Sequence, residues 1–87
     1  MAAEVLLIAE ARAQFLALPV VIRRRVSTVF ERLAEWPEVS GAKPLKWELA
    51  GSYRIRTGDW RVVFRPSATG DAVTVLRIEN RRDVYEK

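Results

Sequence analysis

With 87 residues, the chain is long enough for one domain and too short for two. It has no cysteine, which excludes a disulfide framework, a thiol nucleophile and a cysteine-based zinc site; it has no histidine, which removes the commonest general base and metal ligand. Hydrophobic residues make up 49% of the chain and the formal net charge is +4, so a packed core is available and a polyanion is a natural partner.

The first apolar run, Val5-Leu6-Leu7-Ile8-Ala9, is the longest in the chain and falls far short of the roughly 20 residues a membrane span needs. The N-terminus has Glu4 and no basic cluster, unlike a signal peptide. No membrane association is expected, and the cytoplasm is the default location. Over residues 2–18, helix propensity favours one continuous helix, while Val5–Ile8 reads equally as a buried strand. From Ala11 the spacing of Ala11, Phe15 and Leu18 is helical, until Pro19 either ends that helix or begins the next.

The second helix is the clearest element. Ile22, Val26, Val29, Phe30 and Leu33 recur at i, i+4, i+7, i+8 and i+11, which is one face of a helix. Pro37 marks its end. Arg23-Arg24-Arg25 falls on the polar side and reads as a solvated helix face, with ribosomal RNA as the functional alternative. Residues 37–51 then form a loop containing Lys43 and Lys46. Trp36 and Trp47, at a helix end and in this loop, are expected to seal the core rather than to stack on bases.

Strands follow. Tyr53-Arg54-Ile55-Arg56-Thr57 and Trp60-Arg61-Val62-Val63-Phe64-Arg65 both alternate with period two, and Gly58-Asp59 between them is a two-residue hairpin signal. After a loop over residues 66–71, residues 72–78 form a third strand that is apolar at nearly every position. A polar tail, residues 79–87, closes the chain. Helices first and strands second imply an α+β fold in a single domain over 1–87.

The hairpin register carries the functional argument. With Gly58-Asp59 as the turn, Thr57 pairs with Trp60, Arg56 with Arg61, Ile55 with Val62, Arg54 with Val63 and Tyr53 with Phe64. Because side chains alternate across a sheet, Tyr53, Ile55, Trp60, Val62 and Phe64 share one face and can cover the second helix. Arg54, Arg56, Arg61, Val63 and Arg65 share the other. Arg56 opposite Arg61 is destabilising in isolation, and a polyanion lying across the sheet makes it favourable. The charge distribution agrees: residues 1–40 hold five Arg and five Glu, whereas residues 41–87 hold ten Lys or Arg against six acids. Twelve of the 15 cations are Arg, suited to bidentate phosphate contacts and base stacking.

The stretch Leu49–Phe64 resembles the "YRIR-GDYRVIY"-like hairpin of the RelE/ParE toxins, and Val75–Tyr85 is similar to their "VLRIGHRRDVY"-like strand and tail. The helix-proline-helix opening and the Leu33–Pro37 segment match in layout. This resemblance implies a short N-terminal strand at about 3–8 and two helices packed on a small antiparallel sheet. It implies the toxin of a type II toxin–antitoxin system in a bacterial cytoplasm, with a cognate antitoxin as partner and a complex that could bind operator DNA. RelE-type members cut mRNA in the ribosomal A site, using the substrate's own 2′-hydroxyl and no cofactor or metal.

By position, the residues that the resemblance implies for catalysis are Arg54, Arg56, Arg61, Arg81 and Tyr85. Lys43, Lys46, Arg65 and Arg77 are candidates for RNA contact. Guanidinium groups suit the negative charge that builds on a pentavalent phosphorus, and Tyr85 suits base stacking or proton transfer. Asp83 reads either as an ion-pair partner that orients Arg81 or as one half of an ordinary surface bridge. The chain departs from the family pattern in three places. Ala9-Glu10 stands where a Ser or Thr usually caps the first helix, Arg stands at two hairpin positions that can be Lys in RelE itself, and Asn80 stands where many relatives have His. Two alternatives to the nuclease remain: a ParE-like inhibitor of DNA gyrase, and a non-catalytic relative acting through its antitoxin complex.

Overall fold

The computed structural model describes residues 3–80. Its elements in chain order are β1 (Glu4–Leu7), α1 (Ala9–Leu16), α2 (Val20–Leu33), β2 (Lys43–Pro44), β3 (Tyr53–Thr57), β4 (Trp60–Pro66) and β5 (Ala72–Asn80), with a 3₁₀ turn at Trp47–Leu49. The five strands form one sheet in the order β1-β5-β4-β3-β2.

The N-terminal ambiguity resolves as strand, then helix. β1 runs parallel to β5, with Glu4 opposite Ala72 and Leu7 opposite Val75, so the sheet is mixed rather than purely antiparallel. α1 starts at Ala9 with Ile8 as its N-cap and no side-chain cap, in keeping with the missing Ser or Thr. Pro19 is the N-cap of α2, at φ −56° and ψ 150°, so it begins the second helix.

α2 packs as its periodicity requires. Val26, Val29 and Leu33 are buried, and Ile22 and Phe30 lie against the same core. They meet Ile55, Val62, Phe64, Val73, Val75 and Ile78 from the sheet, the face assigned to the core by alternation. An aromatic group closes one end: Trp36 lies 5.0 Å from Tyr53 and 5.5 Å from Phe64 between ring centroids, and Tyr53 stacks on Phe64 at 5.8 Å. Trp36 therefore seals the core as expected. Trp47 does not: it is 86% exposed.

β5 reaches two residues further than its apolar run, through Glu79 and Asn80. Pairing with β4 makes the extension possible, with Arg61 opposite Glu79 and Trp60 opposite Asn80. On its other edge β5 outruns β1, whose pairing ends at Val75. There the Gln14 Oε1 of α1 accepts a hydrogen bond from the Ile78 backbone N–H at 2.8 Å, which satisfies a donor that would otherwise lack a strand partner.

Candidate functional site

The hairpin forms in the register that its two-residue turn dictates. Thr57 pairs with Trp60, Arg56 with Arg61, Ile55 with Val62, Arg54 with Val63 and Tyr53 with Phe64. Gly58 takes φ 63°, the left-handed conformation a hairpin of this kind needs at its first central position and one that glycine adopts without strain.

Residues directly opposite one another across neighbouring strands share a face, so the register assembles the face turned away from the helices. One row runs Lys43, Arg54, Val63, Arg77 across β2, β3, β4 and β5. The next runs Arg56, Arg61, Glu79 across β3, β4 and β5. Lys43, Arg54, Arg56, Arg61 and Arg77 thus occupy one continuous surface. Val63 lies between Arg54 and Arg77, 1% exposed and apart from the main core cluster. The aliphatic stems of flanking arginines are suited to covering such a residue.

Glu79 is the residue of this face that strand alternation misses when residues 79–87 are read as tail. Its Oε2 accepts a hydrogen bond from Arg61 Nε at 2.8 Å, and its Oε1 forms an ion pair with Arg77, 2.9 Å from Nε. Its spacing of two from Arg77 would have put both on one face had the strand been drawn through residue 80. Both contacts engage Nε, so each guanidinium keeps its terminal nitrogens for another acceptor. Arg54, Arg56 and Lys43 have no acidic partner among the described residues.

Arg65 follows the alternation onto this face but is turned to the preceding loop, where it donates to the Ala50 carbonyl at 2.7 Å and lies against Gly51. Lys46 is exposed in the same loop. Arg25 extends from α2 over the hairpin turn, with its guanidinium beside Gly58, while Arg23 and Arg24 line a shallow depression along α2 with Phe15 and Val20. Arg81, Asp83 and Tyr85 lie outside the described residues.

A second surface is apolar. Val5, Leu6, Leu7, Phe15, Leu16 and Phe30 line a groove between β1 and the helices, with Arg12 at its edge. Leu6, Ile8, Leu16, Val20 and Val21 are exposed nearby. No helix among the described residues is long and apolar enough to cross a membrane.

Comparison with known proteins agrees with this architecture. A family model described as the ParE toxin of type II toxin–antitoxin system, parDE, matches residues 8–85. Toxin RelG of Mycobacterium tuberculosis is 33% identical over 69 residues, covering 79% of this chain and 78% of RelG. A chain of the RelBE2 toxin–antitoxin complex from Mycobacterium tuberculosis superposes with a TM-score of 0.81 at 29% identity, covering 93% of this chain and 100% of that one. The isolated Escherichia coli RelE toxin shares the fold, with a TM-score of 0.77 at 18% identity over 98% of this chain and 93% of RelE.

Proposed function

The chain belongs to the ParE toxin family of type II toxin–antitoxin systems, and from that premise we propose that it acts as a ribosome-dependent mRNA endoribonuclease of the RelE type. The observation that carries this reading is the paired row structure of the outer sheet face, where Lys43, Arg54, Arg56, Arg61 and Arg77 converge on one surface.

In the proposed reaction the 2′-oxygen of a nucleotide attacks the adjacent phosphorus and the P–O5′ bond breaks. The products are a 2′,3′-cyclic phosphate and a 5′-hydroxyl. Arg54, Arg56 and Arg61 stabilise the charge that develops on the non-bridging oxygens. None of them can take the 2′-hydroxyl proton, because a guanidinium stays protonated. The chain has no histidine; in this reading Tyr85 or the solvent takes the proton, and Arg81 adds a further cation. Lys43, Lys46 and Arg77 hold the flanking phosphates. Arg65, already bonded to Ala50, contributes mainly by shaping the neighbouring loop.

The partner that restrains this activity is a cognate antitoxin, as in the RelBE2 complex whose toxin-like chain superposes here. Its segment would lie in the apolar groove of Leu6, Phe15, Leu16 and Phe30, where a helix or extended peptide can bury its own apolar side chains. Operator DNA would be bound by that complex, and the site of action is the bacterial cytoplasm.

The test is in vitro translation with mRNA 5′ ends mapped by primer extension, for the wild type and an Arg61→Ala, Arg81→Ala double variant. Cuts at A-site codons that need ribosomes and vanish in the variant are expected. Intact mRNA with undiminished translation would sink the nuclease and make gyrase supercoiling the next assay.

A further inference from the structure

Trp47 is the least expected residue of this fold. It is the most exposed of the large hydrophobic residues, at 86%, and the only non-glycine with positive φ among those described, at 60°. L side chains rarely adopt that conformation, and sparsely populated backbone geometry gathers where a site is over-determined by its surroundings.

The surroundings here are well tied down. Leu49 N–H donates to Lys46 O at 3.2 Å, Ala50 N–H to Trp47 O at 3.0 Å and Ser52 N–H to Leu49 O at 2.9 Å. Leu45 and Leu49 are half-buried and Ser52 is buried, so the loop is anchored without the indole. Arg65, whose place in β4 puts it on the cationic face, reaches out of the strand to Ala50 O. That bond fastens the Trp47–Ala50 turn to the edge of this face. Lys46 precedes Trp47, and Lys43 stands at the end of the row that includes Arg54.

We propose that Trp47 is a stacking platform for an unpaired base of the RNA strand whose phosphates lie across the cationic face. This deepens the RNA-cutting reading and rests on it. An exposed indole beside a cationic surface is an arrangement by which single-stranded nucleic acid is held, phosphates on the cations and bases on the ring. The fixed backbone presents the ring without the ordering cost a flexible loop would incur. Trp47 touches no reacting atom in this arrangement. It sets where the strand crosses the sheet.

The test uses the full chain and a single-stranded 2′-O-methyl RNA of about 12 nucleotides, which 2′-hydroxyl attack cannot cut, with a duplex of the same sequence as control. Trp47→Gly is expected to weaken single-strand binding about tenfold or more, to leave duplex binding unchanged, and to keep the same salt slope because no phosphate contact is lost. Trp47→Phe should recover most of the loss. The Gly variant should melt no lower than the wild type, since glycine accommodates φ 60° freely.

Single-strand affinity unchanged in Trp47→Gly would overturn the inference while leaving the RNA reading intact. So would an equal loss on duplex, or a Phe variant no better than Gly. A wild type that binds neither RNA would overturn this inference, while the translation assay would still decide the ribosome-dependent reading.

Discussion

Arg61 donates from Nε to Glu79 Oε2 across 2.8 Å, and Arg77 occupies the other oxygen of the same carboxylate at 2.9 Å. Glu79 is 17% exposed at its side chain, so this is a partly buried acid holding two cations side by side. Arg56, opposite Arg61 on the other strand, gains a counter-charge one strand further away. The like-charge pair is therefore tolerable without nucleic acid, which the hairpin read alone did not disclose.

Replacing Glu79 with Gln keeps the shape and removes the charge. The variant should bind single-stranded RNA several-fold more tightly, and its salt slope should steepen by roughly 1, as expected for one further cation made available to phosphate. Stability should fall by about 1 kcal/mol from loss of the pairs. If Glu79 also orients Arg61, cleavage per bound complex should drop while affinity rises. Titrations at several salt concentrations, set beside single-turnover cleavage, separate the two effects.

Gln14 supports the sheet from outside it. Its Oε1 accepts from the Ile78 N–H beyond the point where β1 stops pairing, and Gln14→Ala leaves that donor without its protein partner. A loss of about 1–2 kcal/mol is expected, read by chemical denaturation. The Ile78 amide should exchange with solvent faster than that of Val62 opposite it.

Leu33 is fully buried at the C-terminal end of α2. Leu33→Ala should cost about 2–5 kcal/mol. Against a total stability on the order of 5–10 kcal/mol for a domain of this size, that leaves a chain that unfolds at modest denaturant. Leu16→Ala, on the 57% exposed rim of the apolar groove, should change stability by less than about 0.5 kcal/mol and weaken antitoxin binding instead. Denaturation midpoints and antitoxin titration distinguish the two surfaces.

Asp71, in the turn between β4 and β5, accepts from Thr69 Oγ1 at 2.7 Å and Ser67 Oγ at 2.9 Å. These bonds hold its carboxyl below the ordinary value, with the Thr69 hydroxyl the larger cause. A carboxyl lowered by folding contributes stability that is complete above its unfolded value and is lost as pH falls through the folded one. Asp71→Asn should flatten that acid limb and leave neutral-pH cleavage intact. Melting curves taken between neutral and acid pH check this.

Much of the fold was legible in the sequence because its signals are local. The α2 stripe from Ile22 to Leu33, the Gly58-Asp59 turn and the period-two strands around it need only their own neighbours, and the hairpin register follows from the turn length alone. With it came the face holding Arg54, Arg56 and Arg61. What tertiary structure decided lies where distant segments meet. Val5–Leu7 became a strand because β5 offers a free edge, which propensity cannot sense. β5 extended through Glu79 because β4 pairs with it, and that pairing put a carboxylate among the arginines. Trp47 stayed outside because Leu45 and Leu49 already anchor its loop and Trp36 already closes the core beside Tyr53 and Phe64. A hydrophobic residue's burial depends on whether space remains for it, and that is a property of the packed whole.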